Sequence, residues 1–184
     1  MSFKKPNFIN KNTDDGQRIN NSTNQIYIDS NLKRWFSRNI GLWKSQRQYI
    51  FKNDEVHNVT MFIKVEKNQL KDNEDGQYKF SWWPLKEYEF FKIHSKYKQE
   101  GQMQAHISGH QLIREQFYLS DKKGISNIKQ IDEHELVFES NYDQWLIIEH
   151  ARLINQDELR FRFIYSWNQD NLEIVESHHE IKVE

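Results

Sequence analysis

Downstream of residue 41, apolar and polar side chains alternate with a period of two over most of the chain. Side chains two apart in a strand share a face, so the alternation predicts strands with one buried side. The predicted strands cover 42–51, 56–66, 77–83, 88–94, 103–108, 112–119, 125–130, 135–139, 145–153, 159–167 and 172–183. Turn chemistry separates them, as in Lys52-Asn53-Asp54, Asp72-Asn73-Glu74-Asp75-Gly76, Lys122-Lys123-Gly124 and Asn168-Gln169-Asp170-Asn171. Such short gaps join antiparallel neighbours, which makes the arrangement an up-and-down meander. Closing the meander removes its edges, and a barrel of about eight or more strands has room for one small ligand. Ahead of the first strand, Leu32, Trp35, Phe36 and Ile40 recur at helical spacing between a cap at Asp29 or Ser30 and a stop at Gly41. One short N-terminal α-helix is predicted there. Residues 1–28 are rich in Asn, Asp and Ser and are expected to be a flexible tail, since they bury too little to offset the entropy of ordering. Residues 29–184 are then a single β-barrel domain.

Composition adds limits to this picture. The 184 residues carry a net charge of -1 with 29% charged side chains, so no basic excess points to nucleic acid or an anionic membrane. Aromatic residues are 14% of the chain against 36% hydrophobic, which favours an aromatic-lined core or pocket. The absence of cysteine removes disulfides, thiolate metal ligands and a cysteine nucleophile. With no apolar run of about 18 residues and no leader pattern, the protein is expected to be soluble and cytoplasmic.

The chemistry concentrates in 143–167. In a strand, Trp145, Ile147, Glu149, Ala151 and Leu153 share one face, and a carboxylate on an apolar face needs a partner or a raised pKa. After the turn-like Asn155-Gln156-Asp157, Arg160 and Arg162 alternate with Phe161, Phe163 and Tyr165. Both sets cannot face inward without a bulge; the reading adopted is a polar lumen with the aromatic set outside. On the pattern alone, Glu149 with Arg160 reads more readily as a structural salt bridge than as a catalytic pair, and Arg47 and Arg114 as solvated strand charges. His106 and His110 have a spacing that converges on a helix but not on a strand, and His178 and His179 face opposite sides, so no metal site is expected. A nucleophile elbow and a glycine-rich phosphate loop are both missing from the sequence.

Four blocks carry a family resemblance. Gly41-Leu42-Trp43-Lys44-Ser45-Gln46-Arg47 resembles the G-x-W-x-S-Q-R opening of the S-type (CpcS/CpeS) phycobiliprotein lyases, and Leu112-Ile113-Arg114-Glu115-Gln116-Phe117-Tyr118 their L-x-R-E-Q-x-Y strand. Ile148-Glu149 followed by Leu159-Arg160-Phe161-Arg162 is similar to their I-E…L-R-L-R hairpin, and His179-Glu180-Ile181-Lys182 to their terminal S-E-I-R. The order is kept over about 32–184. One extra residue separates Glu149 from Arg160, Asp157-Glu158 replaces the usual Pro-Asn, and Lys182 the last Arg.

The resemblance implies a lipocalin-like or fatty-acid-binding-like barrel. It also implies non-covalent binding of a phycobilin, a linear tetrapyrrole that is substrate and not a tightly held cofactor, and its transfer to a cysteine of a client phycobiliprotein subunit. Matching positions make Glu149 and Arg160 the expected catalytic residues and Glu180 a third participant. A bilin is flat and apolar, carries two propionates, and has nitrogens that can share an extra proton. It calls for aromatic walls, cations and a facing carboxylate. Trp43, Trp82, Trp145 and Tyr118 are the expected walls, with Trp83 excluded if Trp82 points inward. Arg47, Arg114, Arg160 and Arg162 are the expected cations. The family further implies a homodimer, or a heterodimer with a homologous subunit, in the cytoplasm or a plastid stroma. Two other readings stay open: a lipocalin-like carrier without transfer activity, and an accessory subunit of a heteromeric lyase.

Overall fold

The computed structural model describes residues 29–68, 76–116 and 123–183. The expected tail at 1–28 and the proposed wall Tyr118 lie outside the described residues. Helix α1 (Ser30–Arg38) leads into β1 (Gly41–Phe51), β2 (Val56–Lys67) and β3 (Gln77–Pro84). A second helix, α2 (Glu89–Ile93), precedes β4 (Gly101–Ser108), β5 (Gln111–Arg114), β6 (Gly124–Gln130), β7 (Glu135–Tyr142), β8 (Trp145–Ile154), β9 (Leu159–Asn168) and β10 (Asn171–Lys182). Every strand pairs antiparallel with the next, and β1 pairs with β10, so the ten strands form a closed, lipocalin-like barrel. No described helix is long and apolar enough to cross a membrane.

Helix α1 forms where its periodicity predicts. The Asp29 side chain accepts from the Asn31 N–H at 2.7 Å, and Leu32, Trp35 and Phe36 turn into one end of the barrel. There they pack against Trp43, Val65, Tyr78, Leu112, Phe138 and Leu153. Asn39, just past the helix, donates to the Trp35 carbonyl at 2.7 Å and accepts from Trp43 Nε1 at 2.9 Å. The Trp43 bond is to the Asn39 backbone carbonyl, and the amide oxygen of the Asn39 side chain accepts from Arg160 Nη1 at 2.9 Å, so the buried polar residue at the plug is satisfied.

The strand expected over 88–94 is instead helix α2. Tyr88-Glu89-Phe90-Phe91-Lys92-Ile93-His94 is too short for period two and period 3.6 to be told apart. The helix puts Phe90 and Phe91 together on Tyr49, Val59 and Met61, covering the end of the barrel opposite α1. A strand would have sent the two rings to opposite faces.

On β9 the facing question resolves as adopted. Arg160, Ile164 and Ser166 are buried inside the barrel, while Phe163 is exposed and Phe161 meets His179 edge-on at 4.9 Å on the outside. The preceding turn is left-handed over three residues. Asn155, Gln156 and Asp157 all have positive φ, at 51°, 55° and 70°, and the Arg38 guanidinium clamps the Asp157 carboxylate. Three successive non-glycine residues in this region are strained, and the ion pair to α1 helps hold them.

Candidate functional site

Strand alternation and the two end helices leave a cavity of about 390 Å³ inside the barrel. Its α1 end is floored by Trp35, Phe36 and Asn39, and its α2 end is reached by Phe91 and the segment Ser95 to Lys98. One wall is aromatic, with Phe80 and Trp82 on β3, while Phe138 of β7 lies under the Arg114 guanidinium, 5.7 Å from its ring centroid. Trp82 donates to the Lys98 carbonyl at 3.1 Å and lies flat on Gly101. A Cβ on that glycine would stand 2.6 Å from the indole, so only glycine admits the ring. Its neighbour Trp83 points out of the barrel and stacks on Phe62, with centroids 5.8 Å apart.

The opposite wall, from β5 across β8, β9, β10 and β1, is charged. Arg162 donates from Nε to Glu149 Oε1 at 2.7 Å, and Arg114 approaches Glu149 Oε2 at 3.5 Å while donating to Ser126 at 2.9 Å. Arg160 is bound elsewhere: it donates from Nε to the Glu180 carboxylate and from Nη1 to Asn39 Oδ1 at 2.9 Å. Its guanidinium lies 4.4 Å from the Trp43 ring centroid, a cation–π contact. Ser45 donates to Glu180 Oε1 at 2.9 Å, and Arg47 Nε reaches Ser45 Oγ at 3.2 Å. Register explains the partners. Glu180 is directly opposite Arg160 and Ser45, whereas Glu149 is opposite Ile164 and Arg160 is opposite Leu153.

The Glu149–Arg160 pair expected from the hairpin is therefore replaced by two pairs, Glu149–Arg162 and Glu180–Arg160. Burial would raise Glu180, but Arg160 and Arg162 overcome it and hold the carboxyl at about 2. Of the expected walls, Trp82 lines the cavity. Trp43 is sealed beneath Arg160 and Lys182, and Trp145 sits at the outer start of β8, so neither does. Arg47, Arg114, Arg160 and Arg162 all reach the cavity surface, while Glu180 is covered by its arginine.

The barrel has the fold of an S-type phycobiliprotein lyase. Superposition on the S-type phycobiliprotein lyase CPES from Guillardia theta gives a TM-score of 0.61 at 17% identity, covering 83% of this chain and 93% of that one. A DUF3598 family protein of unknown function from Nostoc punctiforme matches with a TM-score of 0.56 at 17% identity over 80% of this chain. This chain spans 49% of that protein. Neither a family model nor a curated protein matches the sequence.

Of two further interior residues of β10, Glu176 was not singled out from the sequence and His178 was weighed only as a metal ligand. Glu176 and His178 line the cavity beside Tyr49 and Tyr97, with His178 Nε2 and Glu176 Oε2 at 3.0 Å. Burial raises the Glu176 carboxyl to about 7, against the pull of Arg47 and Arg162. Burial also lowers His178 well below its ordinary value, helped by Arg47, Arg162 and Arg160, so the imidazole is neutral. The pair thus holds a proton beside the cavity near neutral pH. The signal was present in the sequence, since Glu176, His178 and Glu180 fall at every second position of the strand that carries the terminal family block.

Proposed function

We propose that this protein binds a linear tetrapyrrole in the barrel and delivers it to a cysteine of a phycobiliprotein subunit. The observation that carries the reading is the Glu149–Arg162 pair, flanked by Arg114 and Arg47 and set across the cavity from an aromatic wall. The likeness to a solved S-type lyase supports it. Four guanidiniums against the carboxylates of Glu149, Glu176 and Glu180 leave a surplus of positive charge for two propionates, with Lys96 and Lys98 at the same cavity. Glu149, held as an acceptor by two arginines, suits the pyrrole N–H groups and keeps the ring system protonated. That protonation makes the exocyclic double bond of ring A a better electrophile. The client thiolate then adds to it, forming one C–S bond, and the neighbouring carbon takes up the proton, so nothing leaves and no oxidant is consumed. Positioning contributes as much as acid–base help, because it selects the face and the cysteine that react.

The test mixes the purified chain with a free phycobilin and then with an apo-phycobiliprotein, with and without a homologous lyase subunit. A red-shifted, sharpened spectrum followed by a denaturation-resistant adduct on one client cysteine supports transfer. Spectral change without an adduct in either condition supports the carrier reading, and no spectral change with any bilin defeats both. Glu149→Gln is expected to keep bilin affinity within about tenfold while slowing transfer by about 10².

A further inference from the structure

We propose that Glu55, His57 and His94 form a binding site for a divalent transition metal of the zinc class, and that the bound ion staples the α2 segment to the rim of the barrel. Three ligand atoms converge on one point. His94 Nε2 lies 3.3 Å from Glu55 Oε1 and 3.4 Å from His57 Nε2, and His57 Nε2 lies 2.5 Å from the same carboxylate oxygen. Metal–ligand bonds of about 2.0–2.1 Å in a tetrahedron set its edges at roughly 3.3–3.4 Å, so two of the three edges already have that length. The third opens by rotation of one half-exposed carboxylate.

Without an ion, both Nε2–H groups can donate to the one Glu55 oxygen, which brings the two nitrogens to 3.4 Å from each other. Replacing the two protons by one cation turns the same three atoms into ligands at nearly the same spacing. Two imidazoles and a carboxylate, with a fourth position open to solvent, form a donor set suited to zinc and its neighbours. Their surroundings fix the donors. The His94 ring stacks on Phe51 at 4.4 Å and 8°, and Phe90 packs on His94 at 5.0 Å and on His57 at 5.2 Å. Asn53 donates to the second oxygen of Glu55 at 3.4 Å and caps its backbone N–H at 3.3 Å. Such outer contacts orient metal ligands.

The ligands also come from two bodies. Glu55 closes the tight β1–β2 connection, fixed by the Phe51 N–H to its carbonyl at 2.9 Å, and His57 is the second residue of β2, paired with Tyr49. His94 caps the C-terminus of α2, and the next residue, Ser95, lines the cavity. An ion shared by these ligands ties the cover of the cavity to its rim. Local opening of so short a helix is otherwise opposed mainly by the packing of Phe90 and Phe91.

The experiment uses the full, tag-free chain after chelation and desalting, titrated with Zn²⁺ and, for spectroscopy, with Co²⁺. Expected are one equivalent of Zn²⁺ bound with Kd below about 10 μM and the visible absorption of tetrahedral Co²⁺ in the parent protein. Amide exchange over 89–97 is expected to slow by about tenfold or more with Zn²⁺. His94→Asn and Glu55→Gln are each expected to weaken Zn²⁺ binding by at least about a hundredfold and to abolish the change in exchange. Binding weaker than about 1 mM, or affinity unaltered in both variants, overturns the site. Tight binding with exchange over 89–97 unchanged overturns the staple. None of these readouts involves a bilin, so the result is independent of the proposed activity.

Discussion

Arg160 and Arg162 stand two residues apart on one strand, point into the same barrel and each meet a buried glutamate, yet they occupy different worlds. Arg160 lies next to the α1 plug, with Glu180, Asn39 and the Trp43 ring filling its reach. Arg162, one pleat nearer α2, holds Glu149 and only grazes Glu180, at 3.6 Å, with its remaining surface on the cavity. Both border the cavity, but Arg160 is committed to a tie between two strands and a helix, whereas Arg162 pairs with the glutamate that faces the ligand space. Depth relative to the plug, and not residue type or strand face, decides between the two roles. The same reasoning demotes Trp43 from cavity wall to the platform beneath Arg160.

The sharpest way to break the contrast is to remove Glu180. Glu180→Ala leaves Arg160 buried without its carboxylate and is expected to cost about 3–5 kcal/mol in denaturant unfolding, whereas Glu180→Leu combined with Arg160→Met recovers most of that loss. A cost below about 1 kcal/mol for the single change would mean that the sealed pair is not a tie at all.

Next in size comes the proton on Glu176. Between its ordinary value of 4.5 and about 7 the folded carboxyl keeps a proton that the unfolded chain has released. Its contribution to stability therefore declines as pH rises through that window. Glu176→Gln removes the penalty and is expected to be more stable than the parent by about 3 kcal/mol at about pH 8, with the two converging near pH 4.5. His178 works in the opposite direction below its ordinary value, but both proteins carry it, so the difference between their pH profiles isolates Glu176. A pH-independent difference would remove the proton from the cavity wall.

The smallest effect on stability is expected from Arg162→Ala, since Glu149 keeps Arg114 at 3.5 Å and faces the cavity. A cost of about 1–2 kcal/mol in unfolding, with bilin affinity reduced tenfold or more in a spectral titration, fits a ligand-facing arginine. A loss as large as that of Glu180→Ala, with affinity unchanged, would make the two arginines equivalent.

Much of this could be seen in the residues. Alternation is a direct readout of strand faces, which is why the interior arginines and exterior phenylalanines of β9 were legible. Partner choice was not, because a hairpin displays only the neighbour that follows in sequence. Arg160 finds its carboxylate on β10, across the other edge of its strand, and Glu149 meets Arg162 diagonally through a register set by three left-handed turn residues. The aromatic run at 88–94 carried no periodicity long enough to choose helix over strand. Its assignment waited on where Phe90 and Phe91 could be buried together. The triad Glu55, His57 and His94 was invisible for a related reason: an imidazole from the end of α2 shares no spacing with ligands from a turn and the start of β2.

Closure of the barrel carries a consequence in time. The seam between β1 and β10 joins distant parts of the chain, Ser45 and Glu180 for example being separated by 135 positions, and every charged contact of Glu176, His178 and Glu180 with β1 and β9 crosses or borders it. Strands β1 to β9 can pair in order as they are synthesised, because each pairs with the strand that precedes it, across connections that are short except where α2 intervenes between β3 and β4. The final strand arrives last and supplies the carboxylate that neutralises Arg160. Until it docks, the nascent sheet is an open sheet with two free edges and an unpaired interior cation. Completion of the fold and completion of the binding site are thus one event, and a chain stalled short of β10 has no pocket to fill.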